Sequence, residues 1–436
     1  MGGGLLQLVA YGAQDAYLTG NPHITFWKIL YKRHTNFAVE AFRVNFTGAP
    51  TYGQRVVAVV NRNADLVWKT YVEVTLPDTT LAATGNTYDV LWTGADQQRL
   101  GYHLLQQIEV EIGGQVIDRH YGEWLYLWET LTADYDTASK LDTMVNNATQ
   151  GTTSSMTSCG GRPTTLYIPL QFWFCRNPGL ALPLIALQYH EVRFNITLAD
   201  PTNLVAKGSW NSVSQAASKL PALKDMALYI DYVYLDVDER RRFAQESHEY
   251  LIDQVQYTGQ QQITTSAARL DLTLNHPVKE LIWVFQDERK MDCGSATTAS
   301  VGWTQPFDYN DIVDRCRLQI NGQDRFDERF GDYFWKVQPY QHHTAGGTAA
   351  WTTKLPAGGV NPINVYSFAI QPEEHQPSGT CNFSRIDNAT LVFDSITTGG
   401  AGTYPSKSTP YNFRVYAVNY NVFRIMSGMG GLAYSN

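Results

Sequence analysis

Apolar and polar residues alternate along much of the chain. Leu66, Trp68, Thr70, Val72, Val74 and Leu76 fall on one side of an extended segment, and Lys69, Tyr71, Glu73 and Thr75 on the other. That period of two predicts a strand with one buried face. Ile108, Val110 and Ile112 alternate with Glu109 and Glu111, and Gly113-Gly114 then leads into Gln115-Val116-Ile117. The order predicts a hairpin, because both central residues of a tight two-residue turn take positive φ. Leu318-Gln319-Ile320 ahead of Asn321-Gly322 predicts a second. Helical periodicity is scarce. The best helix is 122–132, carrying Trp124, Leu125, Leu127, Trp128 and Leu131, with a short counterpart at 330–337. Long stretches rich in Gly, Ser, Thr and Ala lie between strands, at 132–165, 201–218, 291–305, 342–362 and 396–410. Loops of that length are functional surfaces or disordered segments.

The two halves of the chain resemble each other. Asp65-Leu66-Val67-Trp68 matches Glu280-Leu281-Ile282-Trp283, and Ile112-Gly113-Gly114-Gln115 matches Ile320-Asn321-Gly322-Gln323. Tyr121-Gly122-Glu123-Trp124 matches Phe330-Gly331-Asp332-Tyr333, 209 residues later, and Asn195-Ile196-Thr197-Leu198 matches Asn388-Ala389-Thr390-Leu391. Strands and glycine turns look alike in any β protein, so the shared order of the matches carries the argument. Two copies of one all-β unit of about 200 residues follow. Each copy has room for about eight antiparallel strands in two facing sheets, which is a jelly roll. The first copy ends with a strand at 227–235, and the boundary falls in the charged run 236–249.

Composition agrees with two domains. The 436 residues exceed one ordinary core. Charged residues are 17%, against roughly 25% in an average soluble protein. The 26 Tyr suit strands and surfaces that partners cover. A net charge of −8 argues against wrapping nucleic acid, which needs cations to displace counterions from phosphates. The densest basic segments are 28–34 and Arg240-Arg241-Arg242, and the second follows Asp236, Asp238 and Glu239, which predicts local ion pairs. Cys159, Cys175, Cys293, Cys316 and Cys381 are odd in number and form no Cys-x-x-Cys pair. Neither a disulfide framework nor a zinc site is expected, and a reducing compartment is. The start, Met1-Gly2-Gly3-Gly4-Leu5-Leu6, has no charged secretory n-region, and Leu6 stands where a myristoylation motif needs Ser or Thr. The apolar run 180–187 is short and holds Pro183, so no span is expected.

Signals of catalysis are poor. No phosphate-cradling loop occurs. Ser427 lies among glycines, but Ile425 occupies the first glycine position of a nucleophile elbow. Gly428, Gly430 and Ala433 mimic a dinucleotide fingerprint too near the end for a helix to follow, so a flexible or tucked tail is expected. A cupin-like metal site needs a His-x-His pair, and none exists. His342-His343 are neighbours that face opposite ways on a strand, and Glu373-Glu374-His375 reads as a solvated turn. Asp308, Asp311 and Asp314 would share one face of a helix and read as a solvated acidic face. Sequons occur at Asn45, Asn147, Asn195, Asn382 and Asn388, little above chance, and Asn195 and Asn388 fall in expected strands where a glycan fits badly. No catalytic, cofactor-binding or metal-binding residue is expected.

Several blocks carry a family resemblance. They include Leu8-Val9-Ala10-Tyr11-Gly12-Ala13-Gln14-Asp15, Pro178-Gly179-Leu180-Ala181-Leu182-Pro183-Leu184, His248-Glu249-Tyr250-Leu251-Ile252 and Asn275-His276-Pro277. The most specific is Gln376-Pro377-Ser378-Gly379-Thr380-Cys381-Asn382-Phe383-Ser384-Arg385, and Arg424-Ile425-Met426-Ser427-Gly428-Met429-Gly430-Gly431 closes the chain. The first of these two blocks runs on through Ile386-Asp387-Asn388-Ala389 and the last through Leu432-Ala433-Tyr434. Together they resemble the major capsid proteins of nucleocytoplasmic large DNA viruses, most of all the algal-virus branch that includes chloroviruses. The resemblance implies an all-β double jelly roll, two tandem eight-stranded antiparallel jelly rolls with few short helices and long loops. It implies a homotrimer whose six similar lobes pack on a near-hexagonal lattice, in contact with neighbouring capsomers and minor capsid proteins over an inner membrane. The shell would belong to a double-stranded DNA virus, the protein itself would be made in the host cell cytoplasm, and glycosylation occurs in the branch. The expected layout is an N-terminal arm at 1–26, a first jelly roll at 27–235, a linker at 236–248 and a second jelly roll at 249–436. The arm would lie beneath the trimer and reach the inner membrane, with no direct nucleic-acid binding. A carbohydrate-binding jelly roll, suggested by the Trp and Tyr content, and a cupin-like enzyme are the rival readings.

Overall fold

The computed structural model describes residues 2–77, 99–145, 165–206, 220–288, 307, 309–345, 362–396, 405 and 410–434, with short strand pieces at Ala82–Ala83, Asn86–Thr87 and Leu91–Trp92. Expectations for Asn147, Cys159, Cys293 and Asp308, and for most of the long loops, fall outside the described residues. The chain divides into two compact units, Met1–Phe37 and Ala38–Asn436. The first unit contains the short helices Gly3–Val9 and Ala16–Thr19, neither with a buried side chain.

The second unit holds two β-sandwich lobes. Strands of the first are β1 (Phe37–Asn45), β2 (Arg55–Val59), β3 (Leu66–Thr75), β4 (Leu105–Ile112), β5 (Gln115–Tyr121), β6 (Thr165–Pro169), β7 (Val192–Leu198) and β8 (Asp225–Leu235). One sheet runs β1-β8-β3, with β6 and the piece Leu182–Pro183 sharing the far edge of β3, and the facing sheet runs β2-β7-β4-β5. Strands of the second lobe are β9 (His248–Ile263), β10 (Ala268–Asp271), β11 (Pro277–Asp287), β12 (Val313–Ile320), β13 (Gln323–Asp324), β14 (Asn364–Ser367), β15 (Ala389–Ile396) and β16 (Tyr411–Met426). Its sheets run β9-β16-β11-β14 and β10-β15-β12-β13. The two orders correspond strand for strand, and the pairings are antiparallel. This is the double jelly roll.

The local signals explain the elements. Gly113 and Gly114 take φ of 60° and 85°, and Asn321 and Gly322 take 50° and 79°, so both expected hairpins close on two left-handed residues. The 66–76 alternation holds except near its start, where Val67 is buried and Trp68 half-buried. Opposite this point the register with β8 shifts between Ile230 and Tyr232, which turns the side chains over. Helix α1 spans Gly122–Thr132 as its apolar spacing predicts. The segment expected as a loop after it begins instead with helix α2 (Tyr135–Val145). Asp134 accepts from the Thr137 backbone N–H at 3.0 Å, and Ala138, Leu141 and Val145 bury one stripe. Helix α3 (Val237–Gln245) occupies the charged run between the lobes, starting on Asp236, whose carboxylate accepts from Val237 N–H. Its basic run closes on ion pairs, Arg240 to Asp65 at 2.9 Å and Arg242 to Glu246 at 3.2 Å.

Gly122 and Gly331, 209 residues apart, meet the same constraint. A Cβ on Gly122 would stand 2.0 Å from the Tyr102 carbonyl oxygen, and one on Gly331 would stand 2.1 Å from that of Val313. In each lobe the chain passes from sheet to helical turn with its backbone pressed on a neighbouring backbone, which only glycine permits. Gly122→Ala and Gly331→Ala are each expected to destabilise the protein by about 1–3 kcal/mol. A thermal melt within error of the parent would show that the backbones are not in contact.

Candidate functional site: the interface between the lobes

Among the described residues, an extensive constellation of aromatic and charged side chains joins the two lobes. Along β11 the odd residues Leu281, Trp283 and Phe285 fill the second lobe's own core. The even residues Ile282 and Val284 pack into the core of the first. Along β16, Phe413, Val415 and Ala417 point inward, while Tyr416, Val418, Phe423 and Ile425 join the first lobe. This sheet is therefore buried on both faces, and its strand β11 reads across 281–285 as an unbroken apolar run rather than an alternating one. The matching sheet of the first lobe keeps the alternation, with Tyr71, Glu73, Tyr229 and Asp231 half-buried on its outer face.

Helix α1 and β5 form the first lobe's side of the contact. Tyr121 lies 4.9 Å from Tyr257, Tyr257 stacks on Tyr416 at 4.9 Å, and Trp124 lies 5.8 Å from Tyr416. Among these rings sits a charged node. The Glu123 carboxylate accepts from Arg414 at 2.8 Å, from the Tyr309 hydroxyl at 3.0 Å and from the Tyr416 hydroxyl at 2.6 Å. Gln260 and Gln286 accept further bonds from the same guanidinium. Burial and the Glu123 charge hold both phenols well above their ordinary range, so each stays a donor. Elsewhere on the seam Asp118 accepts from Val255 N–H at 3.2 Å, and Gln254 donates to the Ile117 carbonyl. Asp253 pairs with buried Lys279 at 3.0 Å and with Arg176 of the first lobe at 3.7 Å.

The residues singled out in the sequence take structural places. Ser427 and Gly428, at φ of 52° and 80°, turn β16 back into a strand Met429–Leu432. The tail is thus a paired hairpin, and Tyr189 N–H donates to the Gly428 carbonyl at 3.0 Å across the lobes. Asp311 and Asp314 do not share a helix. Both are exposed; Asp314 is the second residue of β12, and Asp311 lies ahead of the strand and accepts from the Trp335 indole at 3.2 Å. Desolvation of its carboxyl, then repulsion from Asp332, pushes Asp311 up to about 6. Asn195 is buried in β7 and donates to Glu111 at 2.9 Å, which leaves no room for a glycan. Asn45, Asn382 and Asn388 are exposed. Cys175, Cys316 and Cys381 are free thiols.

The expectation of a solvated turn at Glu373 is corrected. Glu373 accepts from His343 Nδ1 at 2.9 Å, and Glu280 of β11 faces Nε2 at 3.1 Å. His343 and Glu280 have fully buried side chains. Burial alone would lower the histidine, but Glu280 and then Glu373 push it up to about 9. An imidazolium held at both nitrogens has no lone pair for a metal. Among the described residues, no group of three or more His, Cys, Asp or Glu is arranged to hold one.

Nothing in this geometry orients a nucleophile against a base. It couples two jelly rolls into one compact unit. Comparison with known proteins agrees. A family description reading "Major capsid protein N-terminus" matches residues 25–236, and one reading "Large eukaryotic DNA virus major capsid protein" matches residues 239–431. A major capsid protein of Pyramimonas orientalis virus is 47% identical over 452 residues, covering 100% of both chains. The chain belongs to this family of major capsid proteins. A second relative, from Paramecium bursaria Chlorella virus 1, is 41% identical and again covered over 100% of both chains. A chain in the solved capsid of PBCV-1 superposes with a TM-score of 0.75 at 36% identity, over 94% of this chain and 100% of that one. The Faustovirus major capsid protein, at 12% identity and a TM-score of 0.69, shares the fold. This capsid protein is thus a structural component of a large icosahedral DNA virus, and the carbohydrate-binding reading gives way. Family membership points to a non-enzymatic role.

Removing one partner of the central node leaves the other charge buried and unpaired. Glu123→Leu and Arg414→Met are each expected to cost about 3–5 kcal/mol, and the two together less than the sum of the single changes. Equilibrium denaturation of the four proteins checks this, and strictly additive losses would deny the coupling. His343 is raised above its ordinary 6.5, so its stabilisation is complete below that pH and is lost as pH rises through about 9. Melting temperature should fall between pH 7 and 10 and fall less in His343→Gln. Equal slopes would remove the role assigned to this histidine.

Proposed function

We propose that this capsid protein assembles as a homotrimeric, pseudo-hexagonal capsomer. The carrying observation is the pair of lobes with one strand order, joined by a sheet buried on both faces. Three such chains present six similar lobes, which suits a near-hexagonal lattice. The capsomer meets neighbouring capsomers and minor capsid proteins through surfaces rather than through a catalytic centre, so the chain works as a scaffold and not as an enzyme. It is made in the host cytoplasm. The functional layout is an arm at 1–26, lobes at 27–235 and 249–436, and a linker at 236–248.

The arm reading is supported by Leu8, Val9, Tyr17, Leu18, Ile24 and Phe26, which are strongly exposed although apolar. Such side chains seek cover from a partner, here minor capsid proteins or the inner membrane beneath the trimer. Light scattering over a dilution series should give a stable species near 147 kDa, three times the 49.0 kDa chain. A monomer at every dilution would reject the capsomer. Deleting residues 1–22 should preserve that mass and abolish shell assembly, and loss of the trimer would reject the arm.

A further inference from the structure

Away from the seam, the outer faces of two matching sheets carry one arrangement of charge in opposite signs. On β2-β7-β4-β5 the Glu109 carboxylate of β4 is sunk to 7% exposure between Arg119 at 2.8 Å and Arg55 at 3.2 Å, and both arginines stay half-exposed. On β10-β15-β12-β13 the same place belongs to Arg317 of β12, as the match of Ile112-Gly113-Gly114-Gln115 with Ile320-Asn321-Gly322-Gln323 sets it. Asp394 lies 3.4 Å and Asp324 3.6 Å from Arg317, and both are more exposed than the arginine. The first face thus shows guanidinium groups above a sunken carboxylate, and the second shows carboxylates around a guanidinium. The other charges nearby balance on their own face. Arg193 pairs with Glu191 at 2.8 Å and Arg315 with Glu328 at 3.2 Å, and Arg269 and Asp271 of β10 are exposed with opposite signs. Glu111 is half-buried, accepts from Asn195 and faces Arg55 at 4.0 Å.

We propose that these two faces are the complementary halves of a contact between capsomers, in which Arg55 and Arg119 of one chain meet Asp324 and Asp394 of a chain in the next capsomer. The inference rests on the capsomer reading and names surfaces that the reading leaves open. Two arguments fix the occupant as another copy of this chain. The first is sign. Exposed guanidinium forks match exposed carboxylates, and the bonds that Glu109 and Arg317 hold within each face leave further N–H groups and oxygen lone pairs for a partner. The second is symmetry. The seam uses the β5 and α1 corner of one lobe and the outer face of β9-β16-β11-β14 of the other, and in a single lobe those two sides adjoin. In a ring of six lobes joined by such sides, the outer faces of β2-β7-β4-β5 and β10-β15-β12-β13 turn away from the axis. A ring whose six sides alternate two kinds has unlike lobes on opposite sides, so rings packed in one orientation meet first lobe to second. Like lobes would set arginine against arginine, and the inverted charges therefore also select the orientation of each capsomer against its neighbour.

The test uses the full chain and reads the concentration at which trimers form ordered arrays in a crowded solution, by turbidity and electron microscopy. One variant carries Arg55→Glu with Arg119→Glu, the other Asp324→Arg with Asp394→Arg. Each should keep the trimer mass and raise the array-forming concentration about tenfold or more, because each sets like charges against each other across the contact. An equal mixture of the two should array near the parental concentration, since the reversed face of one then fits the reversed face of the other. Net charge alone predicts something else, because the first variant is more acidic than the parent and the second less, and self-repulsion would move them in opposite directions. Arg119→Gln and Asp394→Asn serve where a reversal does not fold, since Glu109 keeps Arg55 and Arg317 keeps Asp324. Each should raise the concentration about threefold. Variants that array as the parent does, a mixture no better than its components, or parental trimers that stay apart overturn the charged faces and leave the trimer standing. A parental chain that is monomeric at every dilution overturns the capsomer reading as well.

Discussion

A six-stranded sheet with apolar side chains on both faces cannot form the outer wall of an isolated sandwich. The second lobe contains such a sheet, with Leu281, Trp283 and Phe285 on one side and Ile282, Val284 and Val418 on the other. Leaving a side chain of this size in water costs about 1.5–3 kcal/mol. A handful of them equals the roughly 5–15 kcal/mol by which an ordinary domain is stable. The second jelly roll therefore depends on the first for its cover, and the two form one compact unit rather than two beads on a linker. Helix α3 is then a strap along an interface already made, pinned to the first lobe by Arg240 and Asp65.

Duplication supplied two copies of one topology, and the seam made them unequal. The same glycine-to-helix step occurs at Gly122 and Gly331, against the Tyr102 and Val313 backbones. Beyond it the copies diverge. In the first, α1 is a full helix whose Trp124 and Trp128 are buried. In the second, Tyr333–Val337 and Gln338–His342 make shorter turns that leave Val337 and Tyr340 toward solvent. A lobe covered on one side by its sister can devote the other side to neighbours, which an array of identical lobes could not do.

Much of this fold was legible in the sequence because its signals are local. Asn321-Gly322 and Gly113-Gly114 fix their turns by φ alone, and α1 announces itself by apolar spacing. The repeat was legible through the order of short matches. Helix α2 was not, because its stripe of Ala138, Leu141 and Val145 is thin and lies within a polar, Thr-rich stretch. The seam was missed for a different reason. Glu123 and Arg414 are 291 residues apart, and nothing in either neighbourhood marks a partner. One signal was available. The run Leu281-Ile282-Trp283-Val284-Phe285 breaks the period of two that Leu66 to Leu76 obeys, and an unbroken run means burial on both faces. His343 and Glu373 were each weighed as metal ligands or solvated polar groups. The fold gives them a third part, an ion pair with each other in which the other nitrogen of His343 faces buried Glu280.

The buried charges on the seam have a purpose that apolar contact alone cannot serve. Two flat, aromatic-rich faces can slide past each other with little change in buried area. A carboxylate that must meet Arg414, Tyr309 and Tyr416 together has one acceptable position, and every other register strands a charge. Such groups contribute little net stability, since each loses its hydration, but they penalise misalignment heavily. Asp253, held between Lys279 and Arg176, acts in the same way farther along. In a shell subunit this precision matters more than tightness. A shift of one residue between lobes would be carried into every contact that the subunit makes, so the seam has to set the angle between the lobes before any neighbour arrives.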